Sequence, residues 1–142
     1  MMYLVDVNVW LALVSEGHVH QKTAKAWFER LAAGSALFCR LSELSLLRLS
    51  TNANAMGVSA PTPQRAWEIL ETLLADERVR EAAEPDGLMA HMRAITAAES
   101  AMSGSSWTDA YLAAFAIAGG YALATFDKRI AKRYPVKAEI VA

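Results

Sequence analysis

Residues 110–126 read AYLAAFAIAGGYALATF, the longest stretch of the chain without a charge. It falls just short of the roughly 18 consecutive apolar residues that suggest a membrane span, and Gly119-Gly120 interrupts it. The stretch therefore reads as a buried helix, a glycine turn and a buried strand ending near Thr125. That helix-to-strand step sets the pattern for the rest of the chain.

Upstream, Tyr3-Leu4-Val5 is a short apolar strand followed by a helix over Val9–Val14. The segment His18–Ala33 is amphipathic, with Ala24, Trp27, Phe28 and Leu31 at helical spacing, and Gly34 stops it. A second strand, Ala36–Cys39, leads into a helix from about Ser42 through Leu44, Leu47 and Arg48, with Asn52, Asn54 and Gly57 marking its exit. Thr62-Pro63 opens another helix carrying Trp67, Leu70 and Leu74, because proline is preorganised for the first helical position. Arg78–Ala83 is a further strand. Pro85-Asp86 starts a helix over Leu88, Met92 and Ile95, and Thr108 is placed to cap the apolar helix that follows. Downstream of residue 126 come a basic helix, Lys128–Arg133, and a last strand, Ala138–Val141. Parallel strands need crossover connections, so strands separated by helices of this length predict an α/β fold. The expected form is a three-layer α/β/α sandwich with a mostly parallel sheet of about five strands. With no repeat, low-complexity tract or linker, residues 1–142 are expected to form a single domain.

Composition narrows the chemistry. The 142 residues carry 14 basic and 15 acidic side chains, a net charge of -1, and are 54% hydrophobic. No global positive field gathers nucleic acid, so any such site must be local. The single cysteine, Cys39, reads as a small buried hydrophobe and permits no disulfide within the chain. The opening Met1-Met2-Tyr3-Leu4-Val5 lacks the basic flank and cleavage site of a signal peptide. A cytoplasmic protein that does not enter a membrane is the expectation.

In open parallel sheets, ligands bind beyond the carboxyl ends of the strands. Asp6 follows the first strand, Glu43 follows the second at the head of a helix, and Asp127 follows the strand ending at Thr125. Asp109, after Ser106-Trp107-Thr108, is inferred to sit at the head of the apolar helix and on the same rim. Any one of these acids alone is well explained as a helix N-terminal residue that accepts free backbone N–H groups. Capping does not explain their recurrence beside buried segments, where an unpaired charge is costly. Asn8 fits equally as a neighbour of Asp6 or as a plain cap for the helix from Val9. Carboxylates gathered in one pocket repel, which a hard divalent cation resolves; Mg²⁺ or Mn²⁺ suits oxygen ligands. With one cysteine and only His18, His20 and His91, zinc is poorly supported; His18 and His20 read as opening a helix. Such a cation points to phosphodiester hydrolysis.

Four segments then carry a family resemblance: Leu4-Val5-Asp6-Val7-Asn8-Val9, Leu41-Ser42-Glu43-Leu44-Ser45-Leu46-Leu47-Arg48, Thr108-Asp109-Ala110-Tyr111-Leu112 and Ala124-Thr125-Phe126-Asp127. In this order and spacing the chain resembles PIN-domain proteins of the VapC toxin family. The resemblance implies a Mg²⁺- or Mn²⁺-dependent endoribonuclease, toxin half of a toxin–antitoxin pair, forming a homodimer inhibited by a VapB-type antitoxin. It implies that Asp6, Glu43, Asp109 and Asp127 form the catalytic, metal-binding set, with Asn8 and Thr125 as supporting polar residues. It also implies cleavage that leaves a 3′-hydroxyl and a 5′-phosphate. The segment from about Asn54 to Ser103 matches only in helical character.

Candidate RNA contacts are Arg40 and Arg48, which flank Glu43, and Lys128, Arg129, Lys132 and Arg133, which follow Asp127. The last group is equally readable as a solvated helix face. Trp107 reads as core in preference to a base-stacking platform, and Trp10, Trp27 and Trp67 as packing or dimer contacts. Two other readings remain open. An aspartate-nucleophile phosphatase would want an acid where Asn8 stands and a small hydroxyl residue where Trp10 stands. A non-catalytic module could bind RNA or a partner on the same fold without cutting.

Overall fold

A computed structural model describes residues 1–52 and 60–142. Five strands, β1 (Tyr3–Val5), β2 (Ala36–Phe38), β3 (Val79–Glu81), β4 (Ala122–Thr125) and β5 (Ala138–Ile140), form one sheet in the order β3-β2-β1-β4-β5. Every pairing is parallel. Among the described residues the helices are α1 (Val7–Val14), α2 (Gln21–Glu29), α3 (Arg40–Ser50), α4 (Pro63–Ala75), α5 (Leu88–Thr96), α6 (Gly104–Gly119) and α7 (Lys128–Arg133). The expected three-layer sandwich is what forms, and the alternation of strand side chains shows why. Register pairs Leu4 with both Leu37 and Leu123, and all three pack on one face with Ala110, Ala113 and Phe115 of α6. Val5, Phe38 and Ala124 point the other way, onto Val9, Trp10, Phe28 and Leu46. A sheet buried on both faces needs apolar residues at successive positions, which the short runs Tyr3-Leu4-Val5 and Ala36-Leu37-Phe38 supply.

The Ala110–Phe126 reading is borne out. Gly120, at φ +72° in the left-handed region, ends α6 and turns the chain into β4. Thr62 caps α4, its hydroxyl accepting from the Arg65 N–H at 3.2 Å, with Pro63 in the first turn. Cys39 is buried, as expected.

Several boundaries differ from the sequence expectation. The second helix is only Gln21–Glu29; His18 and His20 precede it, the His20 N–H donating to His18 Nδ1 at 3.0 Å. Asn8 is no cap, because α1 already begins at Val7 with Asp6 in the cap position. Thr108 is no cap either. The helix starts a turn earlier, after Ser103, where the Ser106 N–H donates to the Ser103 carbonyl at 3.1 Å and the two hydroxyls bond at 2.9 Å. The run Ser103-Gly104-Ser105-Ser106 has weak helix propensity, so the sequence does not announce this turn. Asp109 therefore lies in the second turn rather than at the helix head. Asn54 and Gly57, expected to mark a helix exit, lie outside the described residues. Among the described residues no helix is long and apolar enough to cross a membrane.

Candidate active site

Asp6 leaves β1 at its carboxyl end, and its backbone N–H donates to the Ala124 carbonyl at 2.9 Å, locking the first strand exit to β4. The residue is only 6% exposed. Its partner is Thr125, the fully buried last residue of β4, whose hydroxyl donates to Asp6 Oδ2 at 2.7 Å. Thr125 Oγ1 in turn accepts from the Asp127 backbone N–H at 3.0 Å and from Asn8 Nδ2 at 3.4 Å. Thr125 thus ties together three of the residues singled out from the sequence, spending its one donor and both lone pairs. Asn8 Oδ1 is buried and has no hydrogen-bond partner among the described residues.

Asp109 comes to the same place from α6. Burial pushes the Asp6 carboxyl above its ordinary pKa; the Thr125 hydrogen bond opposes this, and the charge of Asp109 adds to it. Asp109 is itself raised, first by burial and then by Asp127, with Arg133 and Arg129 working the other way. Asp127 runs opposite: Arg129 holds it below the usual carboxylate range. The guanidinium reaches it through Nε at 3.1 Å and Nη2 at 3.2 Å, while the Arg129 backbone N–H donates at 2.9 Å and makes Asp127 the cap of α7. A polar cavity of about 420 Å³ opens beside Asp109 and Asp127, walled by Ser103, Ser105, Arg129 and Arg133.

Glu43 is buried in the first turn of α3 but answers to different neighbours. Burial and then the adjacent Glu81 raise its pKa, and Arg40, 3.7 Å away, opposes them. These residues line a separate cavity of about 510 Å³ with Glu84 and Tyr111, whose hydroxyl donates to Glu84 at 2.9 Å. The structure therefore brings Asp6, Asp109 and Asp127 together with Asn8 and Thr125, and turns Glu43 toward Glu81. Among the described residues no three histidine, cysteine or acidic side chains converge tightly enough to enclose a metal by themselves.

Arg48, Lys128 and Arg129 are exposed, and Arg40 is largely so. Trp107, expected in the core, is 50% exposed, because the earlier start of α6 puts it in the first turn, at the surface between α5 and α3. Trp10 and Trp27 are buried as packing residues, whereas Trp67 is exposed. Sequence reading passed over Glu81, although it ends β3 just as Asp6 and Asp127 follow their strands; the strand-exit rule applied to β3 would have found it.

The chain is thus a parallel α/β sandwich in which Asp6 and Asp127 leave the two central strands and Asp109 joins them from α6. The PIN domain model matches residues 3–135. Ribonuclease VapC41 of Mycobacterium tuberculosis is 44% identical over 131 residues, 89% of each chain, and Ribonuclease VapC31 of the same species is 31% identical over 134 residues, 92% of each. Among solved structures, VapBC-1 from nontypeable Haemophilus influenzae superposes with a TM-score of 0.69 at 14% identity, covering 98% of this chain and 97% of that one. The chain belongs to the PIN-domain family, as a VapC-type member.

Proposed function

We propose that this chain is a Mg²⁺- or Mn²⁺-dependent endoribonuclease, the toxin of a VapBC-like pair, which acts as a homodimer and is restrained by a VapB-type antitoxin. The observation that carries the reading is the joining of Asp6 and Asp127 through the Thr125 hydroxyl at one rim of the sheet, with Asp109 close enough to both to interact with their charges. The names of relatives support it: VapC41 and VapC31 are ribonucleases, and a solved neighbour is a VapBC assembly.

The residues fit a hard cation. All donors are oxygens, Asp6 is a buried carboxyl near a second acid, and Asn8 Oδ1 is buried with no partner among the described residues. Mg²⁺ and Mn²⁺ take such donors and Mg²⁺ keeps several waters, so a site that does not enclose the ion by itself is compatible with one. Asp6, Asp109 and Asp127 would hold the ion. When bound, it supplies a water of lowered pKa and neutralises charge building on the phosphate oxygens. The protein's own part is positional and electrostatic. Thr125 fixes the Asp6 carboxylate by donating to Oδ2, and Asn8 reinforces Thr125. Arg129 keeps Asp127 ionised and leaves most of its guanidinium at the mouth of the cavity, where a backbone phosphate would pass. The polar wall of Ser103 and Ser105 suits the same phosphodiester chain.

Purified chain incubated with total cellular RNA is expected to cut in Mg²⁺ or Mn²⁺ and to stop when EDTA is added. Asp6→Asn is expected to abolish cutting with the fold intact. An Asp6→Asn variant that cuts as well as the parent removes this assignment. One observation favours the non-catalytic reading: Glu43 faces Glu81 instead of the three aspartates. RNA that is retained on the protein but never cut, in either metal, would establish that reading instead.

A further inference from the structure

The basic group that follows Asp127 is not one set of equivalent side chains. Arg129 projects to solvent, but Arg133, at the end of α7, folds back across the chain leading into α6. Its Nε donates to Glu99 Oε1 at 2.7 Å, its Nη1 to Ser106 Oγ at 3.0 Å and its Nη2 to Met102 Sδ at 3.6 Å. Its guanidinium also lies 5.3 Å from the centre of the Tyr134 ring. Each nitrogen of the Arg133 fork has a partner on the chain leading into α6 or in its first turn, whereas the Arg129 fork bonds only to Asp127, on its own helix cap. Ser106, which is buried, is the residue one turn before Asp109. Asp127 caps the helix that Arg133 ends.

We propose that Arg133 is a positioning residue, a brace that holds the first turn of α6 against α7 and so fixes the spacing of Asp109 and Asp127 before a cation binds. The inference rests on the nuclease reading of the site. Its physical need is plain: Asp109 and Asp127 repel each other, and α7 is six residues long with Ile130 its only buried residue. A helix that short has little stability of its own. A guanidinium fork bonded to Ser106 in the first turn of α6, and to Glu99 and Met102 in the chain leading into it, opposes the separation of the two carboxylates. The planar fork is also what a lysine cannot reproduce, since its ammonium is a single point of charge.

The test is a Mn²⁺ titration followed by electron paramagnetic resonance on the full-length, metal-free protein, with RNA cleavage kinetics and a thermal melt alongside. Arg133→Lys keeps the charge and loses the fork. It is expected to weaken Mn²⁺ binding about tenfold, the scale of losing a supporting contact behind a metal ligand, and to lower kcat for RNA with KM held within about twofold. Glu99→Gln retains an oxygen for Arg133 Nε and is expected to bind Mn²⁺ within about threefold of the parent, while Glu99→Ala is expected to follow Arg133→Lys. A merely structural role would lower Tm in Arg133→Lys and leave Mn²⁺ affinity well below the melt unchanged; that result overturns the brace. So does a raised KM with kcat kept, which would make Arg133 an RNA contact. If the parent binds Mn²⁺, the variant binds it more weakly and neither cuts RNA, the brace stands and the nuclease reading falls. A parent chain that binds no Mn²⁺ overturns both.

Discussion

Thr125 Oγ1 sits 2.7 Å from Asp6 Oδ2, joining residues 119 apart in sequence at adjacent strand ends. That contact, together with the Asp127 N–H and Asn8 Nδ2 bonds accepted by Thr125 Oγ1, sets where Asp6 and Asp127 stand. Thr125→Val keeps the shape and removes the hydroxyl, leaving a buried carboxylate and a backbone N–H without their partner. The expected cost is about 1–3 kcal/mol in urea unfolding, with RNA cleavage reduced by roughly tenfold or more. Thr125→Ser keeps the oxygen and is expected to retain most of the activity. Equal activity in the valine and serine variants would show that the hydroxyl does not orient the site.

The buried charge of Asp6 has a stability consequence. Because burial raises its pKa in the folded chain, the folded state holds that proton more tightly than the unfolded chain does. The stabilisation from protonation is complete below the ordinary carboxylate range and is lost as pH rises through the folded pKa. Asp109, also raised, acts in the same direction. Without divalent ions at neutral pH, Asp6→Asn is therefore expected to stabilise the fold, on the order of 1 kcal/mol or a few degrees in Tm, while abolishing cleavage. The gain should shrink toward pH 4, where the parent carboxyls protonate. Added Mg²⁺ should stabilise the parent and not the variant. Melts across pH, with EDTA and with Mg²⁺, check each sign.

Arg129 offers the opposite case. Its ion pair with Asp127 is largely exposed on the arginine side, and exposed pairs contribute little to stability, about 0–1 kcal/mol. Arg129→Ala is thus expected to leave Tm nearly unchanged. If its guanidinium steadies an RNA phosphate, KM for RNA should rise and the slope of log affinity against log salt should flatten by about one unit. A filter-binding series with Asp6→Asn as the background measures affinity without cleavage. An unaltered salt slope would place the phosphate path elsewhere.

The parts of the fold that sequence made legible are those where local pattern and tertiary demand agree. The run Ala110–Phe126 is too apolar to be anything but interior, its glycines fall at the turn, and Asp6 and Asp127 follow strands buried on both faces. What stayed hidden depends on contacts between distant residues. Ser103–Ser106 reads as a loop by propensity, yet Ser106 is hydrogen-bonded to Arg133, 27 residues away, in the first turn of α6. That shift moved Asp109 one turn along the helix and Trp107 out to the surface. Glu43 follows its strand as expected, but the direction of its side chain depends on Glu81 of β3, a neighbour in the sheet and not in the sequence.

Trp10 links the core to the site. It stands on α1 one turn after Asp6, stacked on Phe38 with ring centres 3.9 Å apart and planes 6° from parallel, and edge-on to Phe28 at 6.2 Å. Removing so large a buried ring leaves a cavity, and Trp10→Ala is expected to cost about 3–5 kcal/mol. The indole N–H is a different matter, since it is buried and has no hydrogen-bond partner among the described residues. Burying an unsatisfied donor costs about 1–3 kcal/mol, so Trp10→Phe gives up packing area but removes that penalty. The two effects oppose, and Trp10→Phe is expected to fall within about 1.5 kcal/mol of the parent, with cleavage retained because α1 still seats Asp6 and Asn8. Urea midpoints for the two variants decide it. A phenylalanine variant as unstable as the alanine one would mean that the indole N–H is satisfied after all.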